Sequence, residues 1–522
     1  VQVPEKPLQQ VQEQELAADA AGLEPASSVG AGDGRLVRDR GKGGRGGSRA
    51  ELPVTVASIM ALALPTLVEQ MFSAGIGFTD TIIAGHTGAD EAARAAAVGA
   101  VGAMTYLQWF AGLMAGALGI GAMAIVSRAI GAGRPRMANR VAGTTCATAF
   151  LIGIGVAVLF FVAAPVLVWM FSLHGQAAAM GIAYLRIMCW TICFQTAGQI
   201  GMACLRGAGD TVRPMIVTAV ITVVNAFASW ALTFGKFGLP AWGIRGNATG
   251  TLLAFIVQGA VTFWFLVGGW AGLRLRPRHF RIVPHIVARV ARIAVPSWLE
   301  NLLLWGGQMA VVLLVMGRVD EVIGISGATL GAHTSVLRIE SLAFLPGFGF
   351  GTACAALVGQ YLGAGKPGEA VRATVLCNRL AVMTMTVSAV PMVVIPHWML
   401  GWMVDSSKVV ELGVIPLVIA GLAQPGFAVS IIKSSALKGA GETVWPMLAT
   451  MTGMGSRVVL VVPTMLVLLK MGLGQWGLLA VWVCIFLDLN YRAVVMEVVF
   501  RKGKWKGKKL WGEEVKGFPV KS

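Results

Sequence analysis

Five carboxylic acids stand in stretches of the chain that otherwise carry almost no charge: Glu69, Asp80, Glu300, Glu340 and Asp488. An acid in such surroundings has few chemical uses. It can take up and release a proton near neutrality, hold a cation through its oxygens, or pair with a basic side chain. In a membrane span an ionised group costs about 3 kcal/mol on insertion scales, so each acid needs a reason to be there. Their spacing is informative. Glu69 follows Pro65 by four residues, and Glu300 follows Pro296 by four. Glu69 and Asp80 are eleven residues apart, which is three helical turns plus roughly 20°, so they share one face about 16 Å apart along the axis. Asp488 and Arg492, like Glu497 and Arg501, have the i,i+4 spacing of local ion pairs. Glu340 has Arg338 beside it and reads as an ion-pair member; His333 reads as a packing histidine, with titration as its other use.

The elements that must position these groups are membrane helices. Of 522 residues, 56% are hydrophobic and 13% charged. Apolar runs predict helices at 54–84, 95–126, 138–170, 179–205, 213–235, 243–269, 286–316, 325–358, 370–399, 410–436, 446–470 and 475–500. The 67 glycines suit close packing of such helices. All seven cysteines fall in apolar runs without metal-ligand spacing; Cys189 and Cys193, one turn apart, read as small core residues. A net charge of +17 would point to nucleic acid in a soluble protein. Here the basic residues gather in alternate connections: 127–140, 206–213, 274–292, 366–372, 433–438 and 501–509. The positive-inside rule therefore predicts cytosolic basic loops, both termini cytosolic, and no nucleic-acid partner. Residues 1–52 are polar and glycine-rich, end in an arginine-rich stretch, and lack the apolar core of a secretory signal; they read as a disordered cytosolic tail.

The chain is also doubled. Leu205-Arg206-Gly207-Ala208-Gly209-Asp210-Thr211-Val212-Arg213-Pro214-Met215 returns 232 positions later as Leu437-Lys438-Gly439-Ala440-Gly441-Glu442-Thr443-Val444-Trp445-Pro446-Met447. Gly131-Ala132-Gly133-Arg134-Pro135 returns as Gly363-Ala364-Gly365-Lys366-Pro367, and Trp242-Gly243-Ile244 as Trp476-Gly477-Leu478. Six spans per copy is an even number, so the repeats are parallel, related by an axis along the membrane normal. The expected fold is all-α, with twelve transmembrane helices in two six-helix lobes. Its boundaries are a tail at 1–52, a first lobe at 53–272, a basic linker at 273–285, a second lobe at 286–500 and a basic tail at 501–522. The repeated Gly-rich motif reads as a tight reversal at the membrane surface, with Pro214 and Pro446 opening the next helix.

These motifs in this order resemble the multidrug and toxic compound extrusion transporters, nearest the DNA-damage-inducible-protein-like and prokaryotic branches. The resemblance covers about 55–500. It rests on Pro65 with Gly77-Phe78-Thr79-Asp80-Thr81-Ile82-Ile83-Ala84-Gly85, on Ser127–Gly133 and Leu205–Met215, and on Ala332-His333, Leu357–Gly365 and Leu437–Met447. It implies a central cavity between V-shaped lobes. It implies export of organic, often cationic, amphipathic compounds by alternating access, driven by inward H⁺ or Na⁺. It also implies a cell inner-membrane, multi-pass protein, taken as a monomer, with no cofactor and no enzymatic step. Asp80 matches the first-helix aspartate implicated in coupling, whose occupancy would bend or shift that helix. Asn225 matches its usual asparagine partner and Thr251 the usual threonine. Where the family often has a second aspartate, this chain has Ser229, which weakens a Na⁺ site and favours H⁺. Asp80 has only Val311 opposite it in the second lobe.

For the substrate cavity the expectation is that Glu69 and Glu300 face each other and give it negative potential. Gln195 and Trp305 are candidate walls, with Met104, Tyr106, Gln108 and Trp190. Two other readings are a lipid-linked precursor flippase of the same superfamily, which would need a more cationic cavity, and a non-transporting membrane scaffold, for which buried acids serve no purpose. The chain contains no P-loop, nucleophile elbow or paired catalytic acids.

Overall fold

A computed structural model describes residues 54–87, 91–170, 175–325, 327–508 and 510, with the side chains at 176, 271 and 313 and some inside 74–110 excepted. The expected tails at 1–52 and beyond 510, and the side chains of Met104, Tyr106 and Gln108, lie outside the described residues. Among the described residues every regular element is helical. The long helices are α1 (Val56–Gly85), α2 (Glu91–Gly131), α3 (Pro135–Met170), α4 (Gly175–Met188), α5 (Thr191–Gly207), α6 (Val212–Phe234) and α7 (Ile244–Val267). The second half contributes α8 (Pro284–Ile323), α9 (Ala328–Gly363), α10 (Pro367–Val394), α11 (Ser407–Gly439), α12 (Val444–Lys470) and α13 (Gly477–Arg501). Among the described residues eleven helices are long and apolar enough to cross a membrane; α4 and α5, bent by 44° at Met188–Thr191, make a twelfth if they form one span. The sequence predicts that span as one unbroken helix. The break follows the local chain: Thr191 and Cys193 turn their side chains back to main-chain carbonyls in the interrupted turn.

Local signals start the helices. Thr55 caps α1 by accepting from the Ser58 amide at 3.2 Å, while α8 and α10 open on Pro284 and Pro367. In α8 the chain passes through a π-turn at Val312–Met316, directly after Val311, the repeat counterpart of Asp80.

The two halves pack by matching rules. α1 packs on α6 and α8 on α12; α6 packs on α7 and α12 on α13. Across the lobe boundary α1 and α2 meet α9, and α2 meets α8. The closest approaches are related by the repeat. Gly131 lies on the Gln360 main chain, and Gly363 lies on the Arg128 main chain, with no room for a Cβ at either. Ser127 fills the space at Gly359, and the Gln360 amide donates to the Gly207 carbonyl at 2.9 Å. All of these contacts sit at the ends of spans next to basic loops, so the lobes are closed on that face.

Candidate functional site

The repeated motif is more than a turn. Gly209 and Gly441 hold φ of +85° and +80°, a region that disfavours any side chain, and this lets each chain reverse at once after its helix. The reversal aims the preceding basic residue inward. Arg206 meets Glu69 at 2.6 Å, and its counterpart Lys438 meets Glu300 at 2.9 Å. Thr211 donates, over 3.5 Å, to the Ala61 carbonyl that Pro65 leaves without its helical partner. The expectation that Glu69 and Glu300 face each other across a cavity and give it negative potential is therefore corrected. Each acid is neutralised within its own lobe, because a buried carboxylate recruits the nearest cation that the fold can supply.

A cavity of about 670 Å³ lies in the first lobe, walled mainly by α1, α2 and α5 and bordered by Phe348 and Thr352 of α9. Glu69, Arg206, Gln195 and Asp80 all line it. Glu300 and Trp305 are not among its lining residues; Trp305 is 44% exposed. Apolar walls such as Ile76, Leu113 and Phe255 alternate with Gln70, Ser73 and Gln199. One Glu69 oxygen and the Gln195 carbonyl oxygen are buried without a partner.

Asp80 sits at the other end of this cavity, five residues before α1 ends, yet is only 6% exposed. It is not an acid at a solvated helix end. Glycines bring its partners close: Gly250 of α7 lies against the Ser229 main chain of α6, and Gly246 against Leu232. This sets Asn225 and Ser229 of α6 in one layer with Asn247 and Thr251 of α7. The Asn225 amide donates to Asp80 Oδ1 at 3.2 Å and to Thr251 Oγ1 at 2.9 Å. Thr251 Oγ1 is 3.1 and 3.2 Å from the two Asp80 oxygens. Ser229 donates to the Asn247 carbonyl at 3.3 Å and so braces the layer without touching Asp80. Asn247 donates to the Asp80 main-chain carbonyl at 3.1 Å. Sequence reasoning missed Asn247, although a buried amide one turn before Thr251 is a signal of its own. The side-chain oxygens of Asn225 and Asn247 have no partner. The arrangement offers a single carboxylate, two spare amide oxygens and access from the cavity, a combination that can bind a proton or a small cation.

The second lobe holds a different cluster, which sequence reasoning saw only in part. Asp488 pairs with Arg492 as its spacing predicts, and also with Arg457 of α12. The pair lies midway along α13 rather than near its end. Arg457 donates to Gln308 at 2.9 Å, and Gln308 lies 2.9 Å from His333, whose ring packs on Trp482. Glu340 is corrected from an ion-pair member: its partner among the described residues is the Gln424 amide, at 3.3 Å. Glu497 pairs with Arg501 as expected and with Lys433 as well.

The MatE family profile matches residues 65–231 and 296–462, one match on each half of the repeat. The chain belongs to the MatE family. A probable multidrug resistance protein NorM of Thermotoga maritima is 27% identical over 463 residues, 88% of this chain and 94% of that one. A MATE transporter solved in the bent conformation superposes with a TM-score of 0.76 at 18% identity, covering 85% of this chain and 94% of the other. An outward-facing multidrug resistance MATE family transporter superposes with a TM-score of 0.74 at 20% identity, covering 87% and 96%. The MatE chain described here thus has the two-lobe membrane transporter fold, and it is a transporter rather than an enzyme.

Proposed function

We infer that this MatE protein is a multidrug-efflux antiporter that exports organic, amphipathic cations in exchange for protons, with Asp80 as the proton-carrying group. Its relatives are named for multidrug resistance, and the family match falls on both halves of the chain. The observation that carries the coupling assignment is the environment of Asp80. It is the one carboxylate in a buried layer of neutral donors, and it borders the cavity that also reaches Glu69 and Arg206. When ionised, Asp80 accepts from Asn225 and Thr251. When protonated, it becomes a donor, and the spare amide oxygens of Asn225 and Asn247 are acceptors within the same layer. Proton uptake then rearranges the contacts of α1 with α6 and α7, the coupling the mechanism needs.

The two spare amide oxygens also favour a second reading, in which Na⁺ takes the place of the proton. Against it stands Ser229, which leaves the layer with one negative charge. A flippase for anionic lipid precursors is less well supported: Arg206 is the basic residue lining the cavity, and Glu69 neutralises it. The proposed placement is a monomer in a bacterial inner membrane. The lobes are assigned to 53–272 and 286–500, joined by a basic linker at 273–285, with basic loops and termini in the cytosol.

The test is transport in proteoliposomes, with an imposed proton gradient and, separately, a Na⁺ gradient, following ethidium. The expected result is proton-driven flux that Asp80→Asn abolishes. Flux driven by Na⁺ alone selects the second reading. No flux under either gradient, or wild-type flux in Asp80→Asn, overturns the assignment.

A further inference from the structure

A second cavity lies on the outer face of the first lobe, away from Asp80. Its volume is about 590 Å³, and its wall, drawn from α3, α5 and α7, is almost wholly apolar. Phe150, Phe194 and Phe263 line it, and Gly198 and Gly259 open its floor. The contribution of α7 runs from Ile256 to Leu266, about 15 Å along the helix axis. Leu151 and Phe263 are 54% and 50% exposed, so the slot is open to the hydrocarbon around the spans.

One end of the slot is different. Phe280 and Ile282, from the connection between the lobes, close it, and the exposed Arg281 stands between them. This connection is fastened to α3. Thr144 donates to the Arg281 carbonyl at 3.1 Å, the Arg274 amide donates to Asn139 at 2.8 Å, and Gly143 lies directly on the His279 main chain. Arg276, Arg278 and Arg281 are exposed, and among the described residues none of them takes part in an ion pair. Partial burial, and then the charges of Arg278, Arg276 and Arg140, hold His279 below the usual imidazole range.

We propose that this slot binds an anionic phospholipid, with an acyl chain between α3, α5 and α7 and the phosphate on the arginines of the connection. The apolar slot is the shape of a chain, not of a headgroup. Among the described residues the arginines of the connection pair with no carboxylate, and guanidinium groups match phosphate oxygens in forked, charge-assisted hydrogen bonds. A zwitterionic lipid fills the slot equally well but brings its own cation to the arginines. Bound in this way, the lipid fastens the connection between the lobes to the first lobe.

Native mass spectrometry of the full chain tests this, after equilibration with phosphatidylglycerol or with phosphatidylcholine of the same acyl chains. Each arginine near an anionic headgroup contributes about a fivefold factor, so retention of phosphatidylglycerol should exceed that of phosphatidylcholine by about tenfold or more. The surface variant Arg276→Gln/Arg278→Gln/Arg281→Gln should bring that ratio close to one. Gly259→Leu, which fills the slot beside Phe194, should lower retention of both lipids. Equal retention by the unaltered protein, or wild-type retention by the triple variant, overturns the proposal. Displacement of the lipid by glycerophosphate alone also overturns it, because the arginines then recognise a free phosphate.

Discussion

The Arg206 guanidinium, at the end of α5, sits 2.6 Å from the Glu69 carboxylate on α1, and both side chains line the cavity of the first lobe. Lys438 and Glu300 repeat this contact in the second lobe at 2.9 Å. The duplicated Gly-rich motif thus locks the first helix of each lobe to the reversal that follows its fourth span. Removing one partner leaves a charge with little water around it. Arg206→Gln should destabilise the protein by about 2–3 kcal/mol, and Glu69→Gln/Arg206→Gln should recover most of the loss. Thermal unfolding in detergent, followed by tryptophan fluorescence, checks this; a double variant no more stable than Arg206→Gln would refute the pairing.

The Asp80 layer makes a graded prediction. Asn225→Ala and Thr251→Ala each remove a donor from a charged acceptor, worth roughly 1.5 kcal/mol, and should each lower proton-driven flux about tenfold. Ser229→Ala should have a smaller effect, since Ser229 meets Asn225 at 3.4 Å and the Asn247 carbonyl at 3.3 Å but not Asp80 itself. Initial rates in proteoliposomes under one fixed gradient give the order. Ser229→Ala as damaging as Thr251→Ala would show that the layer works differently.

Closure of the lobes at the basic-loop face depends on glycine. A Cβ at Gly131 would collide with the Gln360 main chain, and one at Gly363 with the Arg128 main chain. Backbone cannot step aside as a flexible side chain can. Gly131→Ala and Gly363→Ala should therefore favour separation of the lobes on that face. A cysteine at Gln70, which lines the cavity, then becomes several-fold more reactive to a maleimide added from the basic-loop side. All seven native cysteines are buried, so background labelling is low. Unchanged labelling in both variants would mean that these contacts do not hold the face shut.

The Asp488 cluster predicts an asymmetry between its members. Asp488→Asn removes the carboxylate that Arg457 and Arg492 share and should cost about 3 kcal/mol or more. Arg457→Met leaves Asp488 its second arginine and should cost less than half as much. Melting temperatures of the two variants, compared side by side, decide the matter.

The sequence alone determined the membrane fold, the doubling and the candidate coupling acid. Hydropathy is a local property, so each span is written in about twenty neighbouring residues, and the repeat is visible as a fixed offset. Only the tertiary structure decided which groups meet. Glu69 and Arg206 are 137 positions apart, and Asp80 is 145 positions from Asn225 and 171 from Thr251. No periodicity links such residues; glycine contacts between helices and the reversal at Gly209 bring them together. For that reason Glu69 and Glu300 could be recognised from the chain as related acids, while their neutralisation by Arg206 and Lys438 could not. Arg457 and Gln308 show the same limit. Each is a polar residue with apolar neighbours along its helix, and its meaning comes from the residue it faces.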